Sequence, residues 1–201
     1  MVWLLHSGRA LVALGAVLGR LAGWLLLPMM LAVLGAVVGS QLRLGELVRW
    51  GVDLPLLGTG LTITGLTELQ WHLFTVLVML GGSYALAQNG HVRVDFLYDR
   101  LSTKGRYLVD LLGHLLLLLP FCALVAWLAW PFIELAYRSG EQSDYGGLTD
   151  RYLIKAVLPV GLAMLFITAT GQVLISLGVL LGADSGALDP KTPRDEDGHH
   201  G

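Results

Sequence analysis

Residues 107–135 read YLVDLLGHLLLLLPFCALVAWLAWPFIEL, an apolar run in which Asp110, His114 and Glu134 lie toward the ends. A helix of roughly 20 apolar residues crosses the hydrocarbon core of a bilayer, because each residue adds about 1.5 Å of rise. Further long apolar runs occupy residues 21–42, 69–87 and 152–181. The sequence therefore predicts an all-α integral membrane protein with four transmembrane helices.

The composition supports a membrane protein. Hydrophobic residues make up 55% of the 201 residues and charged residues 14%, whereas a soluble domain has about 25% charged residues. The mean hydropathy is +0.68. A net charge of -2 argues against nucleic acid as a partner. The single cysteine, Cys122, excludes a disulfide or a cysteine-based metal site within one chain.

The segments outside the four runs predict accessory structure. Residues 1–19 are apolar but short, and we expect an amphipathic helix in the membrane interface, with a signal peptide as the alternative. The connection over residues 43–67 is rich in Leu and Val and favours an amphipathic piece along the membrane surface. We expect one membrane domain over residues 1–182 and a disordered cytoplasmic tail over residues 183–201.

The distribution of Lys and Arg predicts the orientation. Cytoplasmic segments of membrane proteins carry an excess of these residues. One side of the predicted bundle carries the larger set, which is Arg9, Arg20, Arg93, Arg100, Lys104, Arg106, Lys191 and Arg194. The opposite side carries Arg43, Arg49, Arg138, Arg151 and Lys155. We therefore expect both termini in the cytoplasm.

The predicted spans carry no charged side chain at mid-depth. Buried ionisable groups mark proton relays and ion pathways, and self-contained transporters show inverted repeats with broken helices. The sequence predicts neither feature at the membrane midplane. His72 and His114 lie near opposite faces of the membrane and cannot share one haem iron. We therefore expect no catalytic residue, no cofactor and no metal.

Two polar pairs lie near the ends of predicted spans. Thr67 and Gln70 fit a capping box around Glu68, which places Trp71 at the membrane interface. Asp110 and His114 are four residues apart and share one helix face. A proton relay is one interpretation of this second pair. The interpretation we favour is a satisfied pair at the membrane edge or a contact to a partner helix.

The segment that follows the second predicted span alternates polar and apolar residues. His91, Arg93 and Asp95 are separated by two valines, so an extended backbone places the three polar groups on one side. Arg93 offers a fork of donors to a carboxylate, a backbone carbonyl or a lipid phosphate. We expect these three residues to organise a cytoplasmic loop.

The motifs ELQWH at 68–72, GHVRVD at 90–95 and YDRLS at 98–102 carry a family resemblance, and WLAWP at 127–131 and KAVLP at 155–159 also fit. Together, and in this order between four spans, they make the chain similar to the DctQ-like family. This family comprises the small membrane subunits of tripartite ATP-independent periplasmic (TRAP) transporters. One departure is Thr103, where such proteins often have proline.

The resemblance implies a non-catalytic small permease subunit of the bacterial inner membrane that scaffolds and anchors a large TRAP membrane subunit. A periplasmic solute-binding protein would deliver the solute, an ion gradient would drive uptake, and membrane lipids would surround the complex. The candidate assembly residues are Glu68, Gln70, Trp71, His91, Arg93, Asp95, Asp110 and His114. The alternatives are a membrane-anchor subunit of a redox complex and a free-standing small exporter.

Overall fold

The computed structural model describes residues 2–90 and 100–182. Helices dominate this part of the chain, and a two-stranded antiparallel hairpin joins the second helix to the third. The elements in chain order are α1 (Val2–Gly23), α2 (Leu26–Gln41), β1 (Glu46–Leu54), β2 (Gly58–Thr62), α3 (Ile63–Ala87), α4 (Thr103–Gly113), a π-helical turn (His114–Leu118), α5 (Leu119–Ser139) and α6 (Tyr152–Leu180). The predicted loop residues His91, Arg93 and Asp95 lie outside the described residues.

Four segments of the described chain are long and apolar enough to cross a membrane. They are Trp3–Gln41, Ile63–Ala87, Thr103–Ser139 and Tyr152–Leu180. The predicted fold class, an all-α membrane protein with four spanning helices, is thereby confirmed.

The prediction did not include the hairpin. It placed an amphipathic segment along the membrane surface between the first two spans. β1 pairs with β2 through Glu46 opposite Thr62 and Arg49 opposite Gly60. A Cβ atom on Gly60 would lie 2.8 Å from the carbonyl oxygen of Val48, so the close strand approach requires glycine. The pairing is irregular, with register shifts between Glu46 and Val48 and between Arg49 and Leu54.

The first span is a broken helix that consists of α1 and α2. Pro28 has no backbone N–H, and its ring disfavours a helical carbonyl at Trp24, four residues earlier. Trp24 and Leu25 therefore form a turn, in which their N–H groups donate to Leu21 O at 3.1 Å and Ala22 O at 2.9 Å. The chain resumes as α2 immediately after this turn.

The predicted N-terminal helix is present as α1, and it packs against the bundle. α1 contacts α3 and α6. A Cβ atom on Gly8 would lie 2.8 Å from Gly171 O, and one on Gly171 would lie 2.7 Å from Gly8 O. Gly15 faces Thr168 in the same way, so α1 and α6 run antiparallel. Small residues allow this close backbone approach, which favours helix association in a bilayer.

The third span contains a π-helical turn, His114–Leu118, just before Pro120. Leu119 donates its backbone N–H to His114 O, five residues earlier. The next residue, Pro120, has no N–H to give and would clash with the carbonyl of the preceding turn. A widened turn relieves that clash, and α5 begins directly after it at Leu119.

Backbone contact between α1 and α6 generates a stability prediction. Gly8→Ala and Gly171→Ala each place a methyl group against a backbone carbonyl that has little room to move. We expect each variant to lose roughly 1–3 kcal/mol of unfolding free energy. Gly113→Ala is the matched control, because a Cβ atom there has no neighbour within 4 Å. Thermal unfolding in detergent measures the effect, and equal midpoints for all three variants would contradict the packing.

Candidate functional site at the hairpin end of the bundle

The hairpin (residues 46–62) and the connection over residues 140–151 lie together at one end of the bundle, called the hairpin end here. The carboxylate of Glu68 joins α3 to this connection. It accepts hydrogen bonds from Ser143 Oγ at 2.5 Å and from the Leu148 backbone N–H at 2.8 Å. Arg151 Nη2 lies 4.0 Å from Glu68 Oε1, and the Glu68 side chain is 16% exposed. We call Glu68, Ser143, Leu148 and Arg151 the Glu68 cluster.

The position of Glu68 follows from where α3 begins. Thr62 is the N-cap residue, and its hydroxyl accepts a hydrogen bond from Gly65 N at 2.9 Å and donates one to Gly146 O at 3.0 Å. Glu68 therefore lies in the second turn of α3, beyond the free N–H groups of the helix start. Its carboxylate is available to the neighbouring connection.

The predicted capping box at Thr67 is wrong because the helix starts five residues earlier than that interpretation requires. Thr67 Oγ1 donates to Ile63 O within α3 at 3.0 Å. Gln70 Nε2 donates to Ala32 O of α2 at 3.1 Å, so this side chain links two spans. The N-cap residue of α3 is Thr62. The sequence indicates this cap only through the Thr-x-x-Gly pattern at residues 62–65.

Two glycines let the connection approach the carboxylate. Gly146 has φ of +70°, a left-handed conformation that glycine adopts without strain. A Cβ atom on Gly147 would lie 2.3 Å from Glu68 Oε2, so no other residue fits there without a shift. The Ser143 N–H donates to Leu148 O at 3.1 Å and closes the turn, while the Leu148 side chain is only 1% exposed.

A second link attaches the same connection to the hairpin turn. The N–H of Thr149 donates to Leu56 O at 3.0 Å, and the N–H of Leu56 donates to Asp150 Oδ2 at 3.4 Å. Leu56 has φ of +72°, which is unfavourable for a non-glycine residue. Surrounding contacts must hold such a conformation, so the turn has a defined shape.

Charged residues near this end are paired with each other. Lys155 Nζ lies 2.5 Å from Glu141 Oε2 and 3.9 Å above the centre of the Phe132 ring. Glu46 accepts a hydrogen bond from Arg49 at 2.8 Å, and this bond together with the Glu46 charge raises the pKa of Arg49. The Lys155–Glu141 pair is partly buried, whereas Arg49 of the other pair is exposed.

The remaining predicted assembly residues lie in different places. Trp71 is 66% exposed and makes an edge-to-face contact with Phe74, with ring centres 6.3 Å apart. Asp110 lies in α4 and His114 begins the π-helical turn, both toward the opposite end of the bundle. The structure therefore brings Glu68, Trp71 and Gln70 to one end and separates them from Asp110 and His114.

Sequence reasoning selected Glu68 but missed its partners. Ser143, Leu148 and Arg151 come from a connection 75 or more residues later in the chain, as the Glu68–Ser143 separation shows. The only sequence signal was the Gly146-Gly147 pair, which predicts a turn and not what the turn contacts. Within residues 2–90 and 100–182, no group of three or more His, Cys, Asp or Glu side chains is placed to hold a metal.

These features define a multi-pass membrane protein in which the Glu68 cluster links α3 to the connection over residues 140–151. The family described as tripartite ATP-independent periplasmic transporters, DctQ component, matches residues 55–177. This match covers more than half of the chain, and the protein belongs to that family of TRAP transporter small permease components. Comparisons with curated proteins and with solved structures gave no match.

The Glu68 cluster leads to a specific prediction. Glu68→Ala removes both acceptors and leaves the Leu148 N–H without a partner beside a buried side chain. Such a loss costs about 1–3 kcal/mol, and we expect protease to cut the connection over residues 140–151 more readily. Glu134→Ala is the control, since its partner Arg138 is one helical turn away and both side chains are exposed. Equal cleavage of both variants would contradict the role of the cluster.

Proposed function

We propose that this small permease subunit is a non-catalytic scaffold that anchors the large TRAP membrane subunit. In this proposal the hairpin end faces the periplasm, and both termini lie in the cytoplasm. The excess of Lys and Arg on the opposite side supports this orientation. The large subunit moves the solute, and a periplasmic solute-binding protein delivers it to the complex.

One observation supports the scaffold role above the others. No charged side chain occurs in residues 26–41 of α2, 73–87 of α3, 115–133 of the third span or 156–180 of α6. Ionisable groups near the middle of the membrane mark ion and proton pathways. A subunit without them fits a supporting role beside a subunit that has them.

The lipid-facing and partner-facing surfaces are large and apolar. Trp127, Trp130 and Leu117 of the third span are among its most exposed side chains. Membrane helices associate through close packing of such surfaces and not through a hydrophobic driving force, because lipid is equally apolar. We place the large subunit against part of this surface and near Trp71, with membrane lipids covering the rest.

The scaffold proposal is tested with purified components. We expect the co-expressed large TRAP subunit to remain bound to this chain during affinity purification in mild detergent. Proteoliposomes that contain this chain alone should take up no solute above the protein-free background. Proteoliposomes with both membrane subunits, the binding protein and an ion gradient should take up solute. Uptake by the chain alone would contradict the proposal, and so would purification without the large subunit.

A further inference from the structure

Arg20 is a charged side chain on the outer face of α1. It is exposed, and it forms no hydrogen bond or ion pair with any residue that the structure describes. Val17 and Leu21 share this face and Trp24 follows in the next turn, and their side chains are 54%, 58% and 68% exposed. All four residues belong to the apolar segment Trp3–Gln41. A charge in such surroundings is costly unless another group neutralises it.

The depth of Arg20 follows from the contact between its neighbour Gly19 and α3. A Cβ atom on Gly19 would lie 2.3 Å from Tyr84 Cβ, so α1 and α3 are level at this point. α3 ends at Ala87, about 5 Å beyond Tyr84 along the axis, and polar residues follow it. From Arg20 to Gln41 the first span rises about 32 Å, which matches the roughly 30 Å of hydrocarbon core. The guanidinium therefore reaches the membrane surface at the end of the bundle opposite the hairpin.

The chemistry of this face fits a phospholipid. A guanidinium is a planar fork of N–H donors that matches two oxygens of one phosphate group. Trp24 lies about one turn deeper in the membrane than Arg20, and tryptophan rings favour the region just below the phosphates. A Cβ atom on Gly81, one turn before Tyr84 in α3, would meet nothing within 4 Å. This open space beside α3 leaves room for an acyl chain below the guanidinium.

We propose that Arg20 binds the phosphate of a phospholipid in the leaflet opposite the hairpin, with the acyl chains against Leu21, Trp24 and Gly81. A carboxylate on a partner helix would have to leave water to reach this face, and burying a second ion is costly. A lipid phosphate already lies at the membrane surface, so it neutralises the guanidinium without that cost. The site is formed by this chain alone and does not depend on the proposed scaffold function.

Native mass spectrometry of the full chain with added phosphatidylglycerol tests the site. We expect Arg20→Gln to retain the lipid about tenfold less than the wild type, because a charge-assisted hydrogen bond is lost. Arg20→Lys keeps the charge but not the fork, so its retention should fall between the two. Arg49→Gln is the matched control, because Arg49 is also exposed but lies in the hairpin and is bonded to Glu46. It should retain as much lipid as the wild type.

Two further probes separate a lipid phosphate from other ligands. Diacylglycerol with the same acyl chains lacks the phosphate, and inorganic phosphate lacks the chains. We expect the wild-type chain to retain diacylglycerol about tenfold less than phosphatidylglycerol, because the same charge-assisted bond is missing. Excess inorganic phosphate should not displace the phosphatidylglycerol. Both measurements use the wild-type chain, so they test the site even if Arg20→Gln fails to fold.

Equal retention of phosphatidylglycerol by the wild type and Arg20→Gln would overturn the inference. Equal retention of the two lipids by the wild type would also overturn it, and so would displacement by inorganic phosphate. The co-expressed transporter tests the carboxylate alternative. If Arg20→Gln lowers recovery of the large subunit while its lipid retention matches the wild type, the guanidinium binds a protein carboxylate and the inference is wrong.

Discussion

The hydrogen bond between the Leu148 backbone N–H and the Glu68 carboxylate holds the hairpin end together. The Leu148 side chain is 1% exposed, so the adjoining N–H has little access to water. A buried amide without a partner costs about 1–3 kcal/mol, and a charged acceptor gives the stronger bond. Further contacts from Thr62, Gly147 and Ser143 accompany this bond. Together they pack the connection between the last two spans against α3.

Away from that end, the stability of the bundle depends on shape complementarity between its helices and not on charge. α6 packs against α1, α3 and α5 through small residues, and Gly171 touches the backbone of Gly8. Such contacts gain dispersion energy that lipid tails cannot match, because tails do not interdigitate with a fixed helix surface. A closely packed bundle with apolar outer surfaces fits the proposed scaffold role.

The spans and the family were predictable because apolar runs and short motifs are local signals. The contacts of Glu68 were not, since Ser143 lies 75 residues away and no local pattern encodes such a pairing. The hairpin was missed because its turn, Pro55 to Gly58, lacks the Asn-Gly or Asp-Gly signal of tight hairpins. The packing of α1 was not predicted, because Gly8 and Gly15 indicate a close helix contact but not which helix they contact.

The central claim is that the Glu68 carboxylate fixes the connection over residues 140–151 in the native protein. Hydrogen exchange of the Leu148 amide tests it most directly, since that amide donates to Glu68 and to no helix carbonyl. The account predicts protection of this amide comparable with that of the adjoining turns of α3. Exchange at the rate of an unstructured peptide would contradict it and would leave the hairpin end without its main constraint.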